Sequence, residues 1–112
     1  MRFISLILDG KTVGNQEDIS RLLTTRGFGW LLKCEFANAK VEVKNDVLIW
    51  HAGIFYWGYW CWGVFAGGDW RSGHWMGGIW QNGVWRRGTW HNGVWKGGDW
   101  RGGDWVRGKG RE

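Results

Sequence analysis

The pattern of apolar and polar positions changes character along the chain. Residues 2–8, apolar from Phe3 onward except at Ser5, are short enough for a strand, and Asp9-Gly10 supplies a turn after them. Over residues 15–26 the apolar side chains fall at Ile19, Leu22 and Leu23, on one face of a helix. Asn15 stands where an N-cap belongs, Glu17 and Asp18 fill the first turn, and Gly27 lies just past the end. From Trp50 onward a third period takes over. A large aromatic falls on every fifth position: Trp50, Phe55, Trp60, Phe65, Trp70, Trp75, Trp80, Trp85, Trp90, Trp95, Trp100 and Trp105. From Phe55 on, each has a glycine two positions before it, from Gly53 to Gly103.

The residues between show which way the aromatics point. Arg71, Met76, Gln81, Arg86, His91, Lys96 and Arg101 follow the aromatic directly, and Ser72, Asn82, Arg87 and Asn92 come next. Strand side chains alternate in direction, so the aromatic and its glycine share the inner face while the polar neighbours face out. A pentamer gives a very short strand and a corner, and Asn82-Gly83, Asn92-Gly93, Gly97-Gly98 and Gly102-Gly103 suit sharp turns with positive φ. A β-solenoid, turning the same way at each corner, buries its own aromatics. An antiparallel β-meander of three-residue strands satisfies the same spacing but leaves a whole face of tryptophan in water. The solenoid is therefore the expected all-β fold.

This unit resembles the pentapeptide-repeat family, whose fold is a right-handed, four-sided β-helix with a large apolar residue and a small residue two before it turned inward. The resemblance extends upstream, where Leu31, Phe36 and Val41 each follow a small residue at that offset, with a slip near Lys44-Asn45-Asp46 read as a small loop. It implies a solenoid over residues 29–108; the strand and helix of residues 1–28 are then expected to cap its open end, and residues 109–112 form a polar tail. The Trp-x-x-Gly-x form is also similar to tandem repeats of uncharacterised phage and bacterial proteins, which implies a virus or its host as source. A four-sided coil would stack residues twenty apart, placing Arg87 over Arg107 and filing His51, Arg71 and His91 together. The resemblance further implies a homodimer through the uncapped C-terminal coil.

Composition adds to this. The chain has 112 residues, 13 Trp, 21 Gly and no Pro, which excludes polyproline and disordered low-complexity readings and leaves no room for a separate catalytic domain. The net charge of +5 is concentrated in the repeats, where residues 66–112 carry eight basic and four acidic side chains. Family members that shield DNA topoisomerases do so with an acidic surface, and this chain departs from them. Cys34 and Cys61 make no disulfide framework, which favours a reducing compartment. The first apolar run is too short for a signal peptide or a membrane span, so a cytoplasmic or virion-associated protein without a membrane partner is expected.

Candidate chemistry is confined to the outer surface. Tyr56, Trp57, Tyr59 and Trp62 break the repeat by placing aromatics outward, either packed beneath the N-terminal cap or forming a partner surface. Arg71, Arg86, Arg87, Lys96, Arg101 and Arg107 are the candidates for binding an anion or nucleic acid, though Asp69, Asp99 and Asp104 interrupt them. His51, His74 and His91 are not at metal-ligand spacing, the cysteines form no Cys-x-x-Cys, and no phosphate-binding glycine loop is present, so no metal, cofactor or catalytic residue is expected. The sequence thus points to a non-catalytic structural or protein-binding repeat protein, with a host or virion protein as partner. Nucleic-acid binding through the arginines and glycan binding through exposed aromatics are the alternatives.

Overall fold

The computed structural model describes residues 1–110, so Arg111 and Glu112 of the expected polar tail lie outside the described residues. The chain opens with β1 (Phe3–Leu8) and β2 (Lys11–Val13), paired antiparallel around Asp9 and Gly10, which both take positive φ. Helix α1 (Gln16–Thr25) follows. The Asn15 side chain accepts a hydrogen bond from the Asp18 N–H, and Gly27 ends the helix with φ +92°. The Gln16 side chain bonds both the N–H and the C=O of Phe3, pinning the helix start to β1. Ile19 and Leu23 are buried beneath it.

Residues 29–44 depart from the expected repeat. Gly29–Lys33 is a 3-10 turn, and β3 (Glu35–Lys44) is a long strand. It runs antiparallel to β4 (Val47–Trp57), through a two-residue turn in which Asn45 and Asp46 have φ of 53° and 60°. The supposed slip is therefore a hairpin, and the solenoid starts on β4 rather than at residue 29. Leu31, Phe36 and Val41 are buried as expected, but by the 3-10 turn and by alternation along β3.

From β4 the chain winds into a β-solenoid of about four turns, continuing through ten two-residue strands, β5 (Tyr59–Trp60) to β14 (Asp104–Trp105). All the solenoid rungs pair in parallel, which rules out the meander. The pairing joins residues fifteen apart: Ile49-Trp50 with Val64-Phe65, then Ile79-Trp80 and Val94-Trp95. A second face stacks Ile54-Phe55, Asp69-Trp70, Val84-Trp85 and Asp99-Trp100, and a third stacks Tyr59-Trp60, His74-Trp75, Thr89-Trp90 and Asp104-Trp105. The coil thus has three sides and three pentamers, not the four implied by the family resemblance. Residues twenty apart do not stack, so Arg87 does not lie over Arg107, and His51, Arg71 and His91 do not form a file.

Ring packing explains three sides. Within one coil Trp70, Trp75 and Trp80 meet edge to face, with centroids 5.8–6.4 Å apart, and close the cross-section. Between coils the rings stack nearly parallel, as in Trp70–Trp85–Trp100 at 4.8 and 5.0 Å, close to the spacing of β-strands. Three indoles in offset and edge contact already satisfy the geometry aromatic pairs favour. Each unit also sends two backbone hydrogen bonds to the preceding coil, for example Val84 N–H to the Gly68 carbonyl and Arg86 N–H to the Trp70 carbonyl.

The N-terminal unit covers one end of this column. Phe36 meets Trp50 edge-on at 5.7 Å and Trp30 meets Trp60 at 5.2 Å, so Trp50, Phe55 and Trp60 are fully buried. At the other end Lys109 bridges to Val94, while Trp100 and Trp105 are half-buried. Among the described residues, no helix is long and apolar enough to cross a membrane.

Candidate functional site

The four off-register aromatics lie outside the cap. Tyr56, Trp57, Tyr59 and Trp62 are 42, 48, 51 and 60% exposed. The expectation that the N-terminal unit packs over them is not met, because that unit sits on the end of the column while these side chains project from its flank. Trp57 meets Tyr59 edge-on at 6.0 Å, and Tyr59 stacks on His74 at 4.5 Å. The third face is thereby lined by rings over its first two coils. Trp62 lies around the next corner, close over Gly77, where an added Cβ would come within 3.1 Å of the indole.

Beside Trp62 a groove of about 560 Å³ runs along that corner, lined by Cys61, Trp62, Met76, Gly77, Asn92, Gly93, Val94, Gly108 and Lys109. Its size is in the range of ligand clefts. The three-sided winding makes it, because Trp62, Gly77 and Asn92 are fifteen apart and occupy one column. The absence of a side chain at Gly77 lets the Trp62 indole lie against the floor at one end, and Lys109 stands near the other.

The basic candidates do not form one stripe. Arg71, Arg86 and Arg101 share a column on the second corner, with Arg87 beside them, whereas Lys96 and Arg107 lie on the two other corners, as the fifteen-residue winding places them. Carboxylates already engage the column: Asp69 accepts from Arg71 at 3.0 Å and Arg86 at 2.8 Å, and Asp99 lies 3.8 Å from Arg101. Arg71 also lies over the Tyr56 ring at 5.9 Å. Burial alone would raise the Asp69 carboxyl, but the bonds from Arg86 and Arg71 outweigh it and hold the group below its ordinary value. Its contribution to stability is present above the unfolded carboxylate value of about 3.9 and is lost as pH falls through the lower folded value. Asp69→Asn is expected to cost up to about 1 kcal/mol at neutral pH, with the deficit vanishing in strong acid. Urea midpoints of both proteins at the two pH values check this.

The two cysteines sit on either side of Tyr59, whose carbonyl lies 3.5 Å from Cys34 Sγ and 3.8 Å from Cys61 Sγ. Burial pushes the Cys34 thiol up to about 11, and burial also raises Cys61. Neither is tuned as a thiolate nucleophile. Among the described residues, no three His, Cys, Asp or Glu side chains converge as metal ligands. One pairing escaped sequence reading: His74 Nδ1 lies 3.0 Å from His91 Nε2. Those residues are seventeen apart, one coil plus two, so only a coil length of fifteen would have found them.

The fold defines the chain as a three-sided, tryptophan-filled β-solenoid. Comparison with known proteins finds no match: no family model fits the chain, and no curated protein or solved structure is significantly similar to it.

Proposed function

We propose that the chain is a non-catalytic binding module in which the solenoid is a rigid scaffold and the flank of its first coils holds a protein partner. The observation that supports this is the exposure of Tyr56, Trp57, Tyr59 and Trp62 around the flank of the first coil, near the N-terminal unit. The inward rings from Trp50 to Trp95 are buried, and clustered Trp and Tyr are the side chains that most often dominate binding energy. The unit is taken as a three-sided variant of the pentapeptide-repeat plan, wound right-handed as parallel crossovers are, in a phage or bacterial accessory protein that is cytoplasmic or virion-associated. The half-buried Trp105 supports the C-terminal coil as a homodimer contact.

The test compares the full chain with Trp57→Ala/Trp62→Ala in affinity capture from the host, followed by titration of the captured protein. Loss of the two exposed indoles should weaken binding by more than about thirtyfold, the equivalent of one hot spot. Equal affinity of the two proteins would defeat the reading.

A glycan ligand is the second reading, favoured by the exposed indoles of Trp57 and Trp62 and by the adjoining groove. Saturable binding to an immobilised glycan panel, with loss in the same variant, separates it from the first. Nucleic-acid binding is less well supported, because Asp69 and Asp99 already engage Arg71, Arg86 and Arg101.

A further inference from the structure

The three faces of the solenoid share one inner pattern but differ on the outside. Outward side chains on the second face are Ile54, Asp69, Val84 and Asp99, and on the third Tyr59, His74, Thr89 and Asp104, so carboxylates break both. The first face is ordered differently. Register places Glu42, Ile49, Val64, Ile79, Val94 and Lys109 on consecutive rungs of one sheet, and alternation with the buried Val41 and Trp50 turns this column outward. Its four aliphatic side chains are half-buried against one another, and only small residues flank its middle, Ala66 and Gly67 on one side and Gly77 on the other. The fold does not require so apolar a column, since the other two faces stack carboxylates at the same position.

Charge stands only at the two ends. The Glu42 carboxylate, bonded to His51 at 2.9 Å, closes one end, and the exposed Lys109 closes the other. Turned end for end, the column matches itself: Glu42 falls opposite Lys109, Ile49 opposite Val94, and Val64 opposite Ile79. We propose that this face pairs with the same face of a second copy of the chain, the two columns running antiparallel about a twofold axis between Val64 and Ile79. An isologous contact makes every interaction twice, so two Glu42–Lys109 pairs close an aliphatic seam between sheets about 10 Å apart. Columns set parallel would oppose Glu42 to Glu42 and Lys109 to Lys109, and this repulsion selects the antiparallel order. The contact is lateral and separate from the end-on contact at Trp105. A seam of five intervals is only about 24 Å long, which falls short of the about 800 Å² per partner of a standard interface, so the copies exchange freely.

The test treats the full chain with a carbodiimide, which condenses a carboxylate and an adjacent amine into an amide while the reagent takes up the water. A covalent dimer carrying a Glu42–Lys109 amide is expected by tandem mass spectrometry. Within one chain those side chains stand five rungs apart, about 24 Å, so the link reports a contact between copies. Glu42→Lys and Lys109→Glu, each checked for native circular dichroism, should weaken association at least about tenfold in sedimentation equilibrium, because two like-charge contacts replace two attractive ones. An equimolar mixture of the two variants should associate again as a heterodimer, since each cation then meets a carboxylate. A monomer at every attainable concentration overturns the proposal. So does a dimer that lacks the Glu42–Lys109 link and is indifferent to both reversals, a result that leaves the end-on contact standing.

Discussion

Trp80→Ala is expected to destabilise the protein by about 4 kcal/mol, at or near the top of what a single core truncation costs. The Trp80 ring stacks on Phe65 at 4.3 Å and on Trp95 at 5.0 Å, and meets Trp75 and Trp85 edge-on at 5.8 Å. It is fully buried, and its neighbours are held by backbone rungs that cannot collapse into the space it leaves. Against a usual total of about 5–15 kcal/mol, such a loss removes much of the stability of a small domain. Trp105→Ala, on a half-buried ring at the last coil, should cost less than half as much. Guanidinium unfolding followed by far-ultraviolet circular dichroism measures both. Near-equal values would mean that the column is not a continuous core. Because coils contact only their neighbours, the Trp80 variant is also expected to broaden or split the transition.

Gly83→Ala should cost about 3 kcal/mol although it adds a single methyl group. The backbone there has φ +123°, and the new Cβ would sit 2.7 Å from the Gly68 carbonyl oxygen and 3.3 Å from the Trp80 ring. That carbonyl accepts the bond from Val84 N–H, so the clash strikes a rung of the ladder as well as the conformation. Gly10→Ala is the comparison: φ is +86°, yet nothing lies within 4 Å of the added carbon. It should carry only the strain of a left-handed residue, about 1–2 kcal/mol. The difference between the two variants isolates the close approach of successive coils. Equal losses would show that conformation alone requires the repeated glycine.

Much of the local structure could be read from the sequence because it rests on short-range chemistry. Asn15, Glu17, Asp18 and Gly27 marked both ends of α1, and the five-residue spacing marked which rings turn inward. The number of sides could not be read from the pentamer, since every unit repeats the same small and aromatic positions. How many units close a coil is decided by how indoles pack across the axis. A weaker signal existed: Ile49, Val64, Ile79 and Val94 recur at fifteen on one face, and so do Arg71, Arg86 and Arg101. The hairpin of β3 and β4 was obscured because Leu31, Phe36 and Val41 happen to fall five apart. Alternation through Val41, Val43, Leu48 and Trp50 around Asn45-Asp46 carried the competing two-residue period.

The candidate site was legible in part for the same reason. Outward placement of Tyr56, Trp57, Tyr59 and Trp62 followed from register alone, but whether anything covers them depends on where the N-terminal unit docks. That unit joins the solenoid through the antiparallel edge of β4, which sends it over the end of the column and away from the flank. The arginine and histidine groupings depended wholly on coil length. An assumed twenty separated His74 from His91 and paired the wrong cations.

Equivalent cross-sections also make this architecture adjustable in height. Removing or inserting fifteen residues, such as 71–85, takes away or adds one storey of about 4.8 Å while every later side chain keeps its compass bearing. A change of five instead swings all that follows by a third of a revolution, leaving the buried rings in place but scattering whatever was assembled on the outside. Growth of such a chain by duplication therefore preserves its exterior only in steps of three units.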